Sequence, residues 1–418
     1  MILVVLLIGI FSTGVFATSN TVTVLGVWTG GEAEAFNKMM APFEAKTGIK
    51  VEFTGTRDLP TILTTQVEAG NPPDVSAIPN PGQMIEFARD NKLVDLSTFM
   101  DMEVLRSDYS PTWLDLGTYK GKFCGVFISA DLKSLVWYNP KAFAAAGYTV
   151  PTTWDEMIAL SDKMVADGKT PWAIGFESGA ASGWAGTDWI EDIMLRTVEP
   201  EVYDLWVAHG ISWLDDRVQR AFELFGQIAL NDKYVYGGTN AELTISFGDS
   251  PDALFTTPPN AYMHRQATFI KSFILDHFPN LVPGEDFDFF PFPPIDPQYG
   301  TPALGAADMF AMFNDTPEAQ AFMQYIVSPE AQEIWVAELG KLSANKRVNP
   351  AAYPDDLTRK AAKILSEAST FRFDGSDLMP SAVGCGSFWS GILDYVSGVS
   401  LKNVLMTIET TALDAYRK

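Results

Sequence analysis

A chain of 418 residues has room for two lobes with cores of their own, and a composition 47% hydrophobic and 19% charged is that of a globular protein. The 52 acidic residues against 29 basic ones give a net charge of −23. That sign repels phosphate backbones and anionic lipid, which argues against nucleic-acid or membrane-surface binding and is compatible with a neutral ligand.

The chain opens on MILVVLLIGIFSTGVFATSN. Its apolar run from Ile2 to Phe11 is too short to span a bilayer, and Val15-Phe16-Ala17 has the pattern of a signal-peptidase site. Residues 1–17 therefore read as a signal peptide, although no positive region follows Met1; a buried N-terminal element is the other reading. The expected location is periplasmic or otherwise extracytoplasmic, and no cysteine near the cleavage site offers a lipid anchor.

TVTVLGVW, residues 21–28, is a β-rich run. EAEAFNKMMAPFEAKTG follows, with Phe36, Met39, Met40 and Phe43 at helical spacing and Gly48 as the stop. IKVEFTG alternates Ile49, Val51 and Phe53; TILTTQVEAG reads as a helix and PDVSAI as a third strand. This order predicts a parallel sheet with right-handed crossovers. Ligands of open α/β sheets sit beyond the carboxyl ends of the strands, and those exits carry Trp28 to Glu32, Arg57-Asp58 and Pro79-Asn80.

A second unit begins at FCGVFISADLKSLVWYN, with a strand over 134–138. In PTTWDEM, Thr153 and Glu156 have capping-box spacing, and Trp154, Met157, Ile158, Met164 and Val165 share a helical face that places Trp154 in a core. Thr316-Pro317 and Ser328-Pro329 each supply an N-cap followed by proline at the first helical position. DFFPFPPIDPQYGTPALG, residues 288–305, is dense in proline and glycine and predicts an irregular crossing between units.

GFESGAASGWAGTDWIEDIM, residues 175–194, has no core periodicity up to Gly186, yet holds Trp184 and Trp189 among glycines and carboxylates. A tryptophan in such a loop can meet a ligand. Sugars offer apolar C–H faces for aromatic stacking and hydroxyls for directional hydrogen bonds, so Trp184 suits stacking and Asp188 hydroxyl binding. Trp189 begins DWIEDIML, where Ile190, Ile193 and Met194 look helical, so inward packing is an equal reading. Reactive motifs are nearly missing: His209, His264 and His277 have no metal-ligand spacing, and there is no nucleophile elbow, phosphate loop or dinucleotide fingerprint. Carboxylate pairs such as Asp188 and Glu191 have the chemistry of a glycosidase, but acidic pairs three apart are common on solvated helix faces. The two cysteines, Cys124 and Cys385, read either as a disulfide of an exported chain or as two free buried thiols.

In order and spacing, VWTGGE, GNPPDVSAIPNPG, GKFCGVFISADLKSLVWYNPKAF, PTTWDEM, GWAGTDWIEDIML, GAADMFAMFNDTPEAQAFMQYIVSPEAQ and GKLSANKRV resemble bacterial extracellular solute-binding proteins, the sugar receptors of ABC importers. The likeness runs along nearly the whole mature chain and is similar in look to receptors for α-glucosides such as trehalose, maltose and sucrose. It implies a two-lobe α/β fold of the periplasmic type II kind, each lobe a mainly parallel sheet flanked by helices, with the ligand in the cleft between. Chain crossings are expected near 127–133, 291–304 and 340–344, so that lobe one is 20–130 plus 300–342 and lobe two is 131–299 plus 343–418. Carried over motif by motif, the site residues are Trp28, Gly31 and Glu32; Arg57; Asn80; Asp131, with Lys133 beside it; Trp184 and Asp188; Met263, Arg265 and Gln266; Gly305, Ala306 and Asp308; and Trp389, with Gly386 allowing close approach. Cys124 stands where the family has an aromatic before GVF. The resemblance implies no catalytic residue, metal or cofactor, a monomer, a sugar ligand and a membrane permease partner that hydrolyses ATP. It leaves open two rivals: a secreted glycoside-active enzyme, and a receptor for another solute such as a polyol or peptide.

Overall fold

The computed structural model describes residues 20–368 and 370–417, so the signal-peptide reading lies outside the described residues. Strand β1 (Thr21–Gly26) leads into helix α1 (Gly31–Thr47), β2 (Lys50–Gly55), α2 (Leu59–Glu68), β3 (Val75–Ile78) and α3 (Pro81–Arg89). The expected β-α-β-α-β unit is therefore present, and β1 pairs in parallel with both β2 and β3. A short hairpin, β4 (Thr118–Tyr119) and β5 (Lys122–Phe123), precedes β6 (Gly125–Phe127). The strand β12 (Met309–Met312) returns antiparallel between β3 and β6, giving the order β2-β1-β3-β12-β6. Phe36, Met39, Met40 and Phe43, the predicted face of α1, are buried against this sheet's core together with the helices Pro317–Ile326 and Pro329–Leu339. Those two helices start as read: Thr316 Oγ1 accepts from the Ala319 amide at 3.1 Å, and Ser328 Oγ from that of Ala331 at 3.2 Å.

A second core is built from residues between Val136 and Phe292, from Leu304, and from residues between Met379 and Ala412. Its sheet runs β10-β8-β9, with β8 (Leu135–Tyr138), β9 (Met263–Arg265) and β10 (Asp288–Pro291). Every pairing in it is antiparallel, where a mainly parallel sheet was expected. The reason is connectivity: β8 carries the chain away from the lobe boundary and β10 brings it back alongside. The stretch 288–305 is correspondingly less irregular than its prolines suggest, since both its ends are strands. Pro291 is tolerated because β10 is an edge strand, where a missing N–H leaves no ladder unpaired. Trp154 is buried in this core against Phe292, 5.9 Å between ring centroids. Thr153 Oγ1 accepts from the Glu156 amide at 3.2 Å, while Glu156 reaches back to Thr152, one residue earlier than a strict capping box.

Between the cores lies a third sheet, β13-β11-β7, formed by β7 (Asp131–Leu132), β11 (Ala303–Ala306) and β13 (Phe371–Phe373). Ala130 and Leu342 exchange backbone hydrogen bonds beside it, at 2.6 and 3.0 Å. Among the described residues no helix is long and apolar enough to cross a membrane.

Candidate functional site

The main cleft opens where the parallel strands of lobe one end. The exit of β1 supplies Trp28 and Glu32, that of β2 supplies Arg57, and that of β3 supplies Asn80. Lobe two faces them with Lys133, Trp184, Phe247, Asp374, Asp377 and Trp389, while Asp131, Ala306, Asp308 and Lys341 form the floor beside the middle sheet. Of the residues expected from sequence, the cleft thus gathers Trp28, Glu32, Arg57, Asn80, Asp131, Lys133, Trp184, Ala306, Asp308 and Trp389.

The cleft's charges are paired with one another. Arg57 Nη2 lies 2.7 Å from Glu32 Oε2, and its guanidinium sits over the rings of Phe247 and Phe273 at 5.2 and 5.7 Å. Lys341 Nζ lies 3.3 Å from Asp131 Oδ2 and 3.2 Å from Asp308 Oδ2. Lys133 contacts Asp374 and lies 2.9 Å from Asp188 Oδ1. Burial opposes the charge on Lys133, but Asp188, Asp374, Asp377 and Glu191 outweigh it and hold the ammonium well above its ordinary range. Burial, reinforced by Asp374, pushes the carboxyl of Asp377 well up, and Asn80 Nδ2 donates to its Oδ1 at 2.5 Å.

The aromatic residues differ in kind. Trp28 is packed against Phe36, Phe53, Phe310 and Trp335, and its Nε1 donates to Asp308 Oδ2 at 3.1 Å, so it presents an edge of the lobe-one core. Trp184 is half-buried, edge-on to Phe247 with centroids 5.1 Å apart and tilted against Phe269 at 5.8 Å. It is not in a loop: it is the first residue of the helix Trp184–Leu195. Gly183 precedes it at φ +105°, and a Cβ there would come within 2.3 Å of the Trp389 carbonyl oxygen. The glycine therefore seats the helix start against the second cleft tryptophan. Trp189 packs inward, against Trp172, Phe225 and Phe292. Trp389 follows a π-helical stretch, Ala382–Phe388, and opens the helix Trp389–Val396.

Six expected site residues lie away from the cleft lining. Asp188 and Arg265 are fully buried and ion-paired at 3.1 Å; Arg265 also meets Asp192 at 2.5 Å, and Asp192 accepts from Arg196 at 2.8 Å. Asp188 is thus a counter-charge behind the wall. Met263 belongs to the lobe-two core. Gln266 turns its Oε1 onto the Ala267 amide at 2.8 Å, and its carbonyl accepts from Trp137 Nε1 at 2.8 Å. Gly305 lies inside the middle sheet, where a Cβ would meet the Phe371 ring at 2.4 Å. Gly31 faces Asp276 in a second, separate crevice, where a Cβ would come within 2.4 Å of a carboxylate oxygen.

The cysteines are corrected as well: both are free. Cys124 is buried in the lobe-one core with Sγ 3.6 Å from the Lys122 carbonyl, whereas Cys385 lies in the π-helical stretch beside Trp389, so the two belong to different packing units. The pair Asp188 and Glu191 is wholly buried, with no face toward the cleft. With Asp374 these carboxyls lie within 4.8 Å of one another, and the Lys133 ammonium supplies the positive charge that such a cluster attracts. Sequence reasoning missed Phe247, Phe269, Lys341, Asp374, Ser376 and Asp377. Lys341 stands in GKLSANKRV, a stretch already marked by resemblance; Asp374 and Asp377, in FDGSD after a short strand, gave only a turn signal.

Comparison with known proteins places this geometry. The model of the bacterial extracellular solute-binding protein family matches residues 29–333. The chain is 49% identical over 389 residues to the osmoprotective compounds-binding protein GgtB of Synechocystis sp., covering 93% of this chain and 91% of that one. It is 40% identical over 409 residues to the alpha-glucosides-binding periplasmic protein AglE of Rhizobium meliloti, covering 96% and 88%. In fold it is similar to the bacterial solute receptor AcbH, with a TM-score of 0.81 at 21% identity over 95% of this chain and 99% of that one. A chitin oligosaccharide binding protein gives 0.82 at 19% identity, over 95% and 99%. With its two α/β lobes and a charge-paired cleft at the strand exits, the chain belongs to the family of bacterial extracellular solute-binding proteins.

Proposed function

We propose that this protein is an extracytoplasmic receptor that captures a neutral glycoside of di- or oligosaccharide size, an α-glucoside, and delivers it as a monomer to the permease of an ABC importer. One observation carries the reading. The three cations lining the cleft, Arg57, Lys133 and Lys341, are each paired to carboxylates, and five carboxyl groups line the cleft against those three. An anion finds no unpaired cation among the described residues, whereas a hydroxyl finds acceptors. The half-buried ring of Trp184 supplies an apolar face beside them. The names of the relatives that bind alpha-glucosides and osmoprotective compounds point the same way.

Ligand touching both lobes binds the closed form better than the open one and shifts the hinge equilibrium toward closure. We place the lobe boundaries at 127–133, 291–304 and 340–344. Core membership supports this for most of the chain: the first core runs to Ile128 and resumes from Ala307 to Ala344, and the second begins at Val136, while Leu304 packs with the second core and Phe373 with the first. A second reading, a receptor for a smaller polyol-type solute, is favoured by the relative named for osmoprotective compounds. Titration calorimetry with trehalose, maltose, sucrose and simple polyols tests both. Binding of an α-glucoside supports the first reading and binding of a polyol alone the second; tight binding of an anion or peptide with none of these sinks both. Incubation with oligosaccharides followed by product analysis separates a receptor from a glycoside-active enzyme.

A further inference from the structure

The three chain crossings of the proposed lobe division meet at one ammonium. Asp131 lies on β7 in the first crossing, Asp308 two residues past β11 where the second crossing has entered lobe one, and Lys341 in the third. Backbone pairing brings them together: β11 lies antiparallel on β7, with Ala306 opposite Asp131, and Leu342 bridges Ala130. Lys341 is almost fully buried, its Nζ shared between Asp131 Oδ2 and Asp308 Oδ2 at 3.3 and 3.2 Å and flanked by the rings of Trp335 and Phe269 at 5.8 and 6.0 Å. The outer oxygens are treated differently. Asp131 Oδ1 accepts from Thr268 Oγ1 at 2.9 Å. Asp308 Oδ2 takes both Lys341 and Trp28 Nε1, so Asp308 Oδ1 is left for the cleft.

We propose that Lys341 is the hinge pin of this receptor, a positioning residue that aims Asp131 and Asp308 at the ligand and ties ligand capture to the movement of all three crossings. The proposal rests on the receptor reading above. Its chemistry is that of a buried charge shared by two opposite ones. Removing the ammonium leaves two neighbouring buried carboxylates whose like charges repel each other and oppose closure. Other charges face the same point. Glu32 adds attraction and is itself covered by Arg57, while Lys271, paired with Asp355, approaches Gly340 from lobe two. Burial works against the Lys341 charge, but Asp131, Asp308 and Glu32 hold it well above its ordinary range, so the ammonium persists at any physiological pH.

The test compares wild type, Lys341→Met and Lys341→Arg by calorimetry with whichever of trehalose, maltose or sucrose the wild type binds, at about pH 5 and about pH 8. Lys341→Met is expected to bind on the order of tenfold more weakly than wild type at the higher pH, with the deficit shrinking at the lower pH as the carboxyls take up protons. Lys341→Arg, which keeps the charge, shows a smaller deficit that is equal at both values. A deficit for Lys341→Met independent of pH, accompanied only by a lower unfolding temperature, marks a merely structural lysine and overturns the proposal. If no sugar binds the wild type, the ligand reading fails, and the hinge role is then decided by amide hydrogen exchange on sugar-free protein. Lys341→Met is expected to speed exchange in 128–133, 303–308 and 340–344 together; a change confined to 340–344 overturns it. Should that variant not fold, Lys341→Met/Asp308→Asn, which removes one charge of each sign, is read by the same exchange criterion.

Discussion

Asp58 of lobe one accepts a hydrogen bond across the cleft from the backbone N–H of Ala180 in lobe two, at 2.8 Å. Asp58 is the N-cap residue of α2, yet its side chain caps nothing in its own helix. It reaches a 3₁₀ turn, Gly179–Ala181, where Gly179 has φ +59° and a Cβ would come within 2.9 Å of the carboxylate. Gly179 of GFESGAASG therefore serves a contact across the cleft.

This hydrogen bond links the two walls of the cleft, so it is expected to favour closure. Asp58→Ala is expected to weaken sugar affinity about fivefold, the equivalent of one charge-assisted hydrogen bond at a partly exposed site. Small-angle scattering of sugar-free protein should show a larger mean radius for the variant. An unchanged affinity and radius would mean that the contact is neutral.

Trp184 and Trp154 separate binding from folding. Trp154→Ala removes a buried ring and is expected to cost about 3–5 kcal/mol of stability. Trp184→Ala opens a half-buried aromatic contact with Phe247 and Phe269. It should cost about 1–2 kcal/mol, while lowering sugar affinity by one to two orders of magnitude, on the order of 1.4 kcal/mol for each factor of ten. Denaturant midpoints and calorimetry on both variants check this; normal binding by Trp184→Ala would remove the ring from the site.

The buried cluster behind the cleft predicts an inverted pH dependence. Burial, with Asp374 and Asp188 adding to it, pushes the Glu191 carboxyl well above the ordinary range, and burial lifts Asp188 to about 6 against the pull of Lys133 and Arg265. An acid whose folded-state pKa is raised contributes stability that is complete below its unfolded value, near pH 4, and is lost as pH rises through the folded value. Unfolding temperature should therefore fall between about pH 5 and about pH 8. Glu191→Gln, which keeps an acceptor for the Ser376 amide, should flatten that fall by about 2 °C or more. Equal slopes in the two proteins would show Glu191 ionised in the fold.

Both thiols are predicted free in protein purified from an oxidising compartment. Burial pushes Cys385 well up and, together with Asp95, raises Cys124, so thiolate is scarce at neutral pH. Mass spectrometry after alkylation should find two modified cysteines in denaturant and slow labelling in the native state. A mass lower by two hydrogens without reductant would instead report a bond.

The sequence by itself determined the lobe-one framework. Helical spacing in α1, alternation in β2 and the Ser/Thr-Pro starts of the later helices are local signals, so the strand exits that bear Trp28, Glu32, Arg57 and Asn80 could be read without coordinates. What only the tertiary structure decided is which polar groups face the ligand. In the helix Trp184–Leu195, 11 of 12 residues are buried, Asp188, Glu191 and Asp192 among them, so no polar face distinguishes a site carboxylate from a counter-charge. Asp188 and Asp308 look alike along the chain. One is enclosed by Lys133 and Arg265, the other shares Lys341 and Trp28 and keeps an oxygen for the cleft. A charge is committed by the partners that surround it in space, and these come from residues 33 to 280 positions away, beyond the reach of any local pattern.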